Sequence, residues 1–391
     1  MIPPPLRFIQ GTLLFLPTTF VLPNSALVIY AIFSILVFLP TFKMNDRIYF
    51  LFIIGVAINF LLGIIIYKNI PDSLLVNNGL IGCLILIIGY LSARSLNDTT
   101  WRIILFYLTI EIIFIYAQFL FEVRYFFPQQ EVTNLTTDFQ FTKDVENINL
   151  LYFIRPMGLS STSTIAAAKI LLGLLIIFML NLKPNTRILL IIIFIGAAVI
   201  NFKRSGLISV GFLFIIIFFL DLKKNGWNIR HTIISTLILL IFSFYAPSII
   251  SQITRESALS LDQISFDIFI TQLSGRAALW HESLVFIKNN IFFGNFSERL
   301  ILSTGQYSHS SYLSLLATHG VFLSLILLIF IISKIKNKFL ILIFLTPIFI
   351  DAIFQEDIFW YISIIDQFVL YLLITRKESV YWKDPFYKIS R

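Results

Sequence analysis

Residues 188–220 have the sequence ILLIIIFIGAAVINFKRSGLISVGFLFIIIFFL, and this stretch decides the fold class. Two apolar runs, 188–201 and 206–220, stand on either side of a very short polar gap that contains Lys203 and Arg204. Apolar runs of about this length indicate helices that cross a membrane, although 188–201 is short. The two cations therefore mark a turn between two helices at one membrane surface.

The composition extends this conclusion to the whole chain. Of 391 residues, 58% are hydrophobic and 13% are charged, which is more apolar surface than a soluble domain can bury. The apolar runs are also too long for barrel strands. The net charge of +8 is typical of basic cytoplasmic loops, so we expect a lipid bilayer as a partner and no nucleic acid. Cys83 is the only cysteine, so no intrachain disulfide can form.

The order of apolar runs predicts one all-α, polytopic transmembrane domain over residues 1–391. It has about twelve spans and two long periplasmic loops, 122–162 and 248–310. The second loop is expected to contain short amphipathic helices, one of them beginning at Arg276 and stopped by Asn289 and Asn290. The predicted spans are 8–22, 25–41, 49–67, 78–93, 103–121, 163–182, 188–201, 206–220, 232–247, 311–333, 339–354 and 358–375.

Lysine and arginine residues predict the orientation. Alternate connectors and the tail collect 18 of the 29 cations, and cytoplasmic loops are the ones enriched in Lys and Arg. Both termini are therefore expected in the cytoplasm, with both long loops on the other side. These cations are Arg7, Lys43, Arg47, Arg94, Arg102, Lys183, Arg187, Lys223, Lys224, Arg230, Lys334, Lys336, Lys338, Arg376, Lys377, Lys383, Lys388 and Arg391.

Lys203 and Arg204 fall on the opposite, outer side, where cations need a reason. An arginine fork matches phosphate oxygens two at a time, which favours an anionic ligand. The alternative is that both side chains reach outward to lipid headgroups. Arg276 raises the same question, because the first turn of a helix already attracts anions through its free N–H groups. A surface role for Arg276 stays open.

Two further blocks carry polar chemistry beside a predicted span. His309 lies where the second loop returns to the membrane, and a histidine there can exchange a proton near neutral pH. Tyr307 and Ser310 flank it. Arg155, in Arg155-Pro-Met-Gly-Leu-Ser-Ser-Thr-Ser-Thr164, adds a cation and hydroxyl groups suited to phosphate or sugar, or a simple helix cap.

Glu111, Lys169 and Asp366 are charged residues inside predicted spans. An unpaired charge in hydrocarbon is costly, so Lys169 should pair with Glu111 or Asp366. Proton coupling in a transporter is the alternative interpretation. The sequence has no metal-ligand spacing and no phosphate-binding glycine loop, so we expect neither a metal nor a cofactor.

Together these blocks resemble the O-antigen polymerase and O-antigen ligase superfamily of bacterial inner membranes. The resemblance lies in Phe202-Lys-Arg-Ser-Gly-Leu207, in Ser274-Gly-Arg-Ala-Ala-Leu-Trp280 with Phe293-Gly294, and in His309-Ser-Ser-Tyr-Leu313 with His319-Gly320. It covers roughly residues 150–325. His309 is followed by serine where the family more often has asparagine, which leaves the subfamily open.

The resemblance implies a metal-independent glycosyltransferase of the inner membrane whose active site faces the periplasm. Its donor and acceptor would be oligosaccharides on undecaprenyl pyrophosphate, and a chain-length regulator is a further candidate partner. By this analogy Arg204, Arg276 and His309 are the catalytic residues. Lys203, Arg155, Ser310 and Tyr307 would bind pyrophosphate or glycan, and the identity of a carboxylate base stays open.

Three functions compete. A polymerase would join repeat units of O-antigen or a related polysaccharide, whereas a ligase would pass the glycan to lipid A-core with nearly the same residues. Two long outer loops favour the polymerase, since it binds two glycan-bearing substrates. A secondary transporter or lipid flippase is the third, with Asp46-Arg47 as a faint signature of a transporter loop and no internal repeat to support it.

Overall fold

All regular structure in the described residues is helical. The structure is a computed structural model. It describes residues 4–19, 24–38, 46–67, 80–121, 123, 126, 156–160, 162–201, 203–225, 276–303, 307–335, 339–356, 358–359 and 363–374. The helices are α1 Pro4–Thr19, α2 Asn24–Phe38, α3 Arg47–Tyr67, α4 Leu80–Ser95, α5 Asp98–Leu120, α6 Ser163–Met179, α7 Pro184–Asn201, α8 Arg204–Asn225, α9 Arg276–Asn289, α10 Ser311–Ile335, α11 Phe339–Phe354 and α12 Ile364–Ile374.

The helices follow the apolar runs of the sequence. Every predicted span except 232–247, which lies outside the described residues, overlaps a helix, although α12 begins at Ile364, six residues after the predicted start at 358. Among the described residues, four helices, α3, α5, α7 and α10, are long and apolar enough to cross a membrane. The structure thus supports an all-α membrane protein, and the number of twelve spans stays a prediction.

One face of α3 is an exposed apolar stripe. Ile54, Ile58, Leu61 and Ile65 follow one another at helical spacing and are each more than half exposed. Such a continuous apolar stripe is unfavourable in water and favourable against lipid tails. The opposite extreme is α6, which is buried from Ala166 to Met179 and lies among α5, α7 and α8 at the centre.

Asp46 ties three helices together at one end of the bundle, called here the Asp46 end. Its carboxylate forms ion pairs with Lys334 of α10 and with Arg94 of α4, the latter at 3.7 Å. Tyr90 donates a hydrogen bond to the same carboxylate at 2.9 Å. The Asp46 carbonyl accepts from the N–H of Tyr49 and so caps the first turn of α3. This one carboxylate therefore sets the register of α3, α4 and α10.

Helix α10 breaks at Gly320, where φ is +72°. The break leaves carbonyl groups of Ala317 and Thr318 without helical partners. The turn at 291–297 replaces them: Asn295 N–H donates to Ala317 at 2.7 Å and Ser297 N–H to Thr318 at 2.8 Å. Backbone groups at membrane depth must be satisfied within the protein, and this turn does so.

Glycine is required at two positions of this pairing. A Cβ at Gly320 would collide with the carbonyl of Phe292, and a Cβ at Gly294 would lie 2.6 Å from the carbonyl oxygen of Ala317. Gly294 also has a positive φ of +58°, which disfavours other residues. Two segments that carry the family resemblance, Phe293-Gly294 and His319-Gly320, are therefore one structural unit.

Helix α9 has the predicted bounds and is buried along one side only, although its exposed side also carries apolar residues. Ser283 is buried, whereas Leu284 and Val285 are about half exposed, at 53% and 46%. Two parts of the predicted long loops, 156–160 and 291–297, pack between helices, because their N–H and carbonyl groups find partners there.

Asp366 has a structural role at the start of α12. Its backbone N–H donates to the Ser363 hydroxyl at 3.0 Å, and its carboxylate accepts from Ser363 and from the N–H of Phe359, the latter at 2.6 Å. The Ser363 hydroxyl therefore caps the first turn of α12, and the Asp366 carboxylate ties this turn to the preceding chain. Lys169 therefore pairs with the other predicted partner, Glu111.

Replacing Gly320 or Gly294 with alanine should destabilise the protein. The cost is about 1–3 kcal/mol from the left-handed backbone alone, and the collisions add to it. The measurement is the temperature at which half of a tagged, detergent-solubilised sample stops eluting as a single species. Gly82→Ala is the control, because a Cβ at Gly82 in α4 meets no atom within 4 Å. Equal melting of Gly320→Ala and Gly82→Ala would contradict the paired break.

Candidate functional site

The end of α11 joins the start of α10 at the other end of the bundle, called here the Gln355 end. The carbonyl of Gln355 accepts hydrogen bonds from the Ser311 N–H at 3.0 Å and the Ser311 hydroxyl at 2.7 Å. The same hydroxyl accepts from the N–H of Ile358 at 3.3 Å. Ser311 is fully buried. It therefore fixes the chain on both sides of Glu356 relative to the first turn of α10.

His309 lies in the tight turn that precedes α10. Its φ is +53°, a left-handed conformation that is uncommon for a residue with a side chain. Ser308 and Ser310 on either side are each only 4% exposed, whereas His309 itself is half-buried. The Ser310 N–H donates to the Ser308 hydroxyl at 3.3 Å and closes the turn. The backbone thus presents the histidine between two buried serines.

Glu356 binds this turn, in a group of four residues that we call the Glu356 cluster: Arg299, Tyr307, Ser308 and Glu356. The Ser308 hydroxyl lies 2.8 Å from Oε1 of Glu356 and 3.1 Å from the carbonyl of Ser310. One hydroxyl has a single proton, and the shorter contact to a charged acceptor is the stronger one. Ser308 therefore donates to Glu356.

Arg299 completes the Glu356 cluster. Its Nε donates to Oε2 of Glu356 at 3.1 Å, and its Nη2 contacts the same oxygen. The guanidinium carbon stacks over the Tyr307 ring, 3.5 Å from its centre. The Glu356 side chain is 5% exposed and that of Arg299 27%. Burial also raises the pKa of the adjacent Glu298, so this carboxyl takes up a proton at a higher pH than an exposed glutamate.

The start of α8 lies at the same end. The Gln355 side-chain amide donates to the Ser205 hydroxyl at 3.0 Å, which places the helix start that contains Arg204 beside the end of α11. Lys203 precedes the helix, is half-buried, and its carbonyl accepts from the N–H of Leu207. For Arg204 the structure describes the backbone.

The start of α9 is the second helix start in this region. The Trp280 ring lies 6.4 Å, centre to centre, from that of Phe354, the residue before Gln355. Arg276 is the first residue of α9 and stands about one helical turn before Trp280. Its backbone therefore lies near the same end of α11, and here too the structure describes the backbone only.

Arg155 lies outside the described residues, but its neighbour Pro156 is placed. The Pro156 carbonyl accepts from the side-chain amide of Asn201 at 2.7 Å, and Asn201 ends α7 two residues before Lys203. The block that follows Arg155 therefore meets the turn between α7 and α8. The structure thus gathers the segments with Lys203, Arg204, Arg276 and His309, together with Pro156, at the Gln355 end.

The segment 156–160, called here the Pro156 turn, is held by a buried polar network. Oε1 of Gln118 accepts from the N–H of Met157 at 2.7 Å and from that of Gly158 at 2.9 Å. The Ser160 hydroxyl donates to Glu111 at 2.6 Å. Gly158 has a φ of +61°, and a Cβ there would lie 2.9 Å from the carbonyl oxygen of Glu111. This turn is thus fixed against α5.

The second oxygen of Glu111 lies 3.4 Å from the ammonium nitrogen of Lys169, and both side chains are almost completely buried. The ammonium also lies 4.8 Å from the centre of the Phe15 ring. An ion pair in a low-dielectric interior is stable only when its remaining hydrogen-bonding positions are filled. Ser160 fills one of them for Glu111, which gives this pair a structural role in holding the Pro156 turn.

Several residues of the site were not singled out from the sequence: Gln118, Asn201, Arg299, Gln355 and Glu356. Arg299 could have been found, because it is a cation on the predicted outer side, as Lys203 and Arg204 are. Glu356 stands in Gln355-Glu-Asp357, a polar gap between two apolar runs. The amide side chains gave no signal. In the described part of the chain, no three His, Cys, Asp or Glu residues group in a way that could hold a metal.

Comparisons with known proteins add no assignment: no protein-family model, no curated protein and no solved structure matches this chain. The resemblance to the O-antigen superfamily therefore stays a prediction from the motifs. It has to be tested through the residues of the Gln355 end.

Replacing one partner of the buried ion pair should destabilise the protein more than replacing both partners. Lys169→Met leaves the Glu111 carboxylate buried without its counter-charge, which costs about 3–5 kcal/mol. The double variant Glu111→Gln, Lys169→Met should recover most of this loss, because a neutral amide can still accept from Ser160. The measurement is the same elution-based melting experiment. A single variant as stable as the double one would show that the pair carries no coupling.

Proposed function

We propose that this protein is a polymerase of O-antigen or a related surface polysaccharide in the bacterial inner membrane. It joins oligosaccharide repeat units carried on undecaprenyl pyrophosphate. The observation that carries the proposal is the meeting of two arginine-led helix starts, α8 and α9, and the His309 turn at the end of α11. A lipid diphosphate requires such a concentration of positive charge and N–H donors.

The proposed reaction is a displacement at the sugar carbon that bears the diphosphate. The hydroxyl of the acceptor unit attacks this carbon and forms the new glycosidic bond. The bond between carbon and diphosphate oxygen breaks, and undecaprenyl pyrophosphate leaves with the electron pair. Arg204 and Arg276 stabilise the negative charge that grows on the diphosphate. His309 accepts the proton of the acceptor hydroxyl or helps to hold the diphosphate.

Sidedness supports this proposal. Arg94 and Lys334 lie at the Asp46 end, and Arg47 at the start of α3 is exposed there. By the distribution of cations this end faces the cytoplasm, as do both termini. The Gln355 end then faces the periplasm, where lipid-linked repeat units are polymerised in the superfamily that the sequence resembles. Lys203, Arg155, Ser310 and Tyr307 are the proposed contacts to diphosphate or glycan.

Arg204→Ala, Arg276→Ala and His309→Ala should each reduce polymer synthesis by about 10²–10³-fold, as loss of one charge-stabilising donor does in other enzymes. Arg204→Lys and Arg276→Lys should restore little, because an ammonium cannot make the two-pronged contact. The measurement is the lipopolysaccharide ladder of a deletion strain that expresses each variant, with membrane levels checked by immunoblot. Arg102→Ala is the matched control, since Arg102 is an exposed cation bonded to the Asn181 carbonyl at the other end.

The outcomes separate the competing functions. A deletion strain that retains single-unit caps on its lipid A-core supports the polymerase, whereas complete loss of O-antigen identifies a ligase. A ladder of normal length in Arg276→Ala cells contradicts both. Transport that depends on Glu111 and Lys169 and survives loss of Arg276 and His309 would favour a transporter.

A further inference from the structure

The turn that carries His309 needs an external support. A non-glycine residue at φ +53° is held there only if its surroundings make other conformations unfavourable. Within the turn, the contact between the Ser310 N–H and the Ser308 hydroxyl is long, at 3.3 Å. A shorter contact comes from outside the turn, where the Glu356 carboxylate lies 2.8 Å from the Ser308 hydroxyl.

Glu356 holds the His309 turn through two contacts. It accepts directly from the Ser308 hydroxyl, on the residue before His309. Through Arg299, whose guanidinium carbon lies over the Tyr307 ring, it also restrains the residue two positions before His309. Both carboxylate oxygens are occupied, which is the condition for burying a charge at this depth. The aromatic stacking of a guanidinium adds a further constraint on its plane.

The backbone around Glu356 is itself fixed. Its neighbour Gln355 is bonded through its carbonyl to Ser311 and through its side chain to Ser205. The end of α11 therefore contacts two separate segments. Gln355 faces the start of α8, where Arg204 stands, and Glu356 faces the His309 turn. Two consecutive residues of the chain thus contact the start of α8 and the His309 turn.

We infer that Glu356, with Arg299, is a positioning residue: it holds the 307–310 turn in the conformation that presents His309 at the Gln355 end. Only the catalytic consequence rests on the proposed function. The geometric part, that loss of Glu356 releases the turn, stands by itself. The two parts can therefore fail separately.

The first experiment measures the turn without any substrate. In the full chain carrying Cys83→Ser and His309→Cys, the new thiol is the only one, and a membrane-impermeant maleimide reports its accessibility in intact spheroplasts. Adding Glu356→Ala or Arg299→Ala should raise the labelling rate about tenfold or more, because the first removes the charged acceptor of Ser308 and the second removes the partner of Glu356 and the contact to Tyr307. Glu356→Gln keeps the shape and an acceptor for Ser308, so a smaller increase is expected.

Glu282→Ala is the matched control. Its carboxylate accepts from the Ser303 N–H at 2.6 Å and from the Ser303 hydroxyl at 3.0 Å, so it also ties a loop through a serine, at a position six residues before His309. It should leave labelling at position 309 unchanged. An unchanged labelling rate in both Glu356→Ala and Glu356→Gln overturns the inference, and the near-isosteric glutamine variant keeps this test valid if the alanine variant is unstable.

The second experiment measures polymer length in cells that retain His309. If Glu356 positions the histidine, Glu356→Ala should shorten the ladder strongly and Glu356→Gln partially. Complete loss of polymer in Glu356→Gln with unchanged labelling would assign Glu356 to the reacting atoms and overturn a positioning role. A raised labelling rate together with a ladder of normal length would support the positioning role of Glu356. It would overturn the proposed role of His309 in the reaction.

Discussion

The structure depends on one constraint: main-chain N–H and carbonyl groups away from water must find partners in the protein. Helix α10 does not meet this condition by itself, because it is interrupted at Gly320. The turn 291–297 meets it by lying against the interruption and exchanging hydrogen bonds with Ala317, Thr318 and Val321. An unsatisfied backbone group in hydrocarbon costs several kcal/mol, so the turn and the broken helix must fold together.

The pairing of the turn 291–297 with α10 also involves α3 and His319. The Asn59 side chain donates to the Phe293 carbonyl at 2.9 Å and to the Ser297 hydroxyl at 3.0 Å. The Ser297 hydroxyl in turn lies 3.1 Å from Nδ1 of His319. His319 is 3% exposed and packs edge-on against the Phe52 ring. It therefore belongs to the packing around the break, whereas His309 lies in the turn at the Gln355 end.

Structural features that depend on local composition could be predicted from the sequence. Apolar runs gave the helices, because lipid leaves few other ways to satisfy a spanning backbone. The start of α9 at Arg276 followed from its local pattern. The break at Gly320 could not be predicted: residues 311–333 form one apolar run, and the partner turn lies more than twenty residues away in the chain. The link between Arg299 and Glu356 spans 57 residues and has no local signature.

The pairing of charged residues could be predicted only in part. The cost of an isolated charge in hydrocarbon required a partner for Lys169, but composition could not choose between Glu111 and Asp366. The choice depends on which helix lies beside α6 and on the capping of α12 by Ser363 and Asp366. Whether Arg204 and Arg276 bind one anion stays a prediction, since it depends on side-chain positions and not on the helix starts alone.

The interruption at Gly320 divides α10 into two mechanical units. The segment 311–319 is attached to α11 through Ser311, whereas the segment 321–335 is anchored through Lys334 to Asp46. A continuous helix would transmit a tilt at one end along its whole length. Here each segment takes its direction from its own partners, and the turn 291–297 holds the two segments together at the interruption.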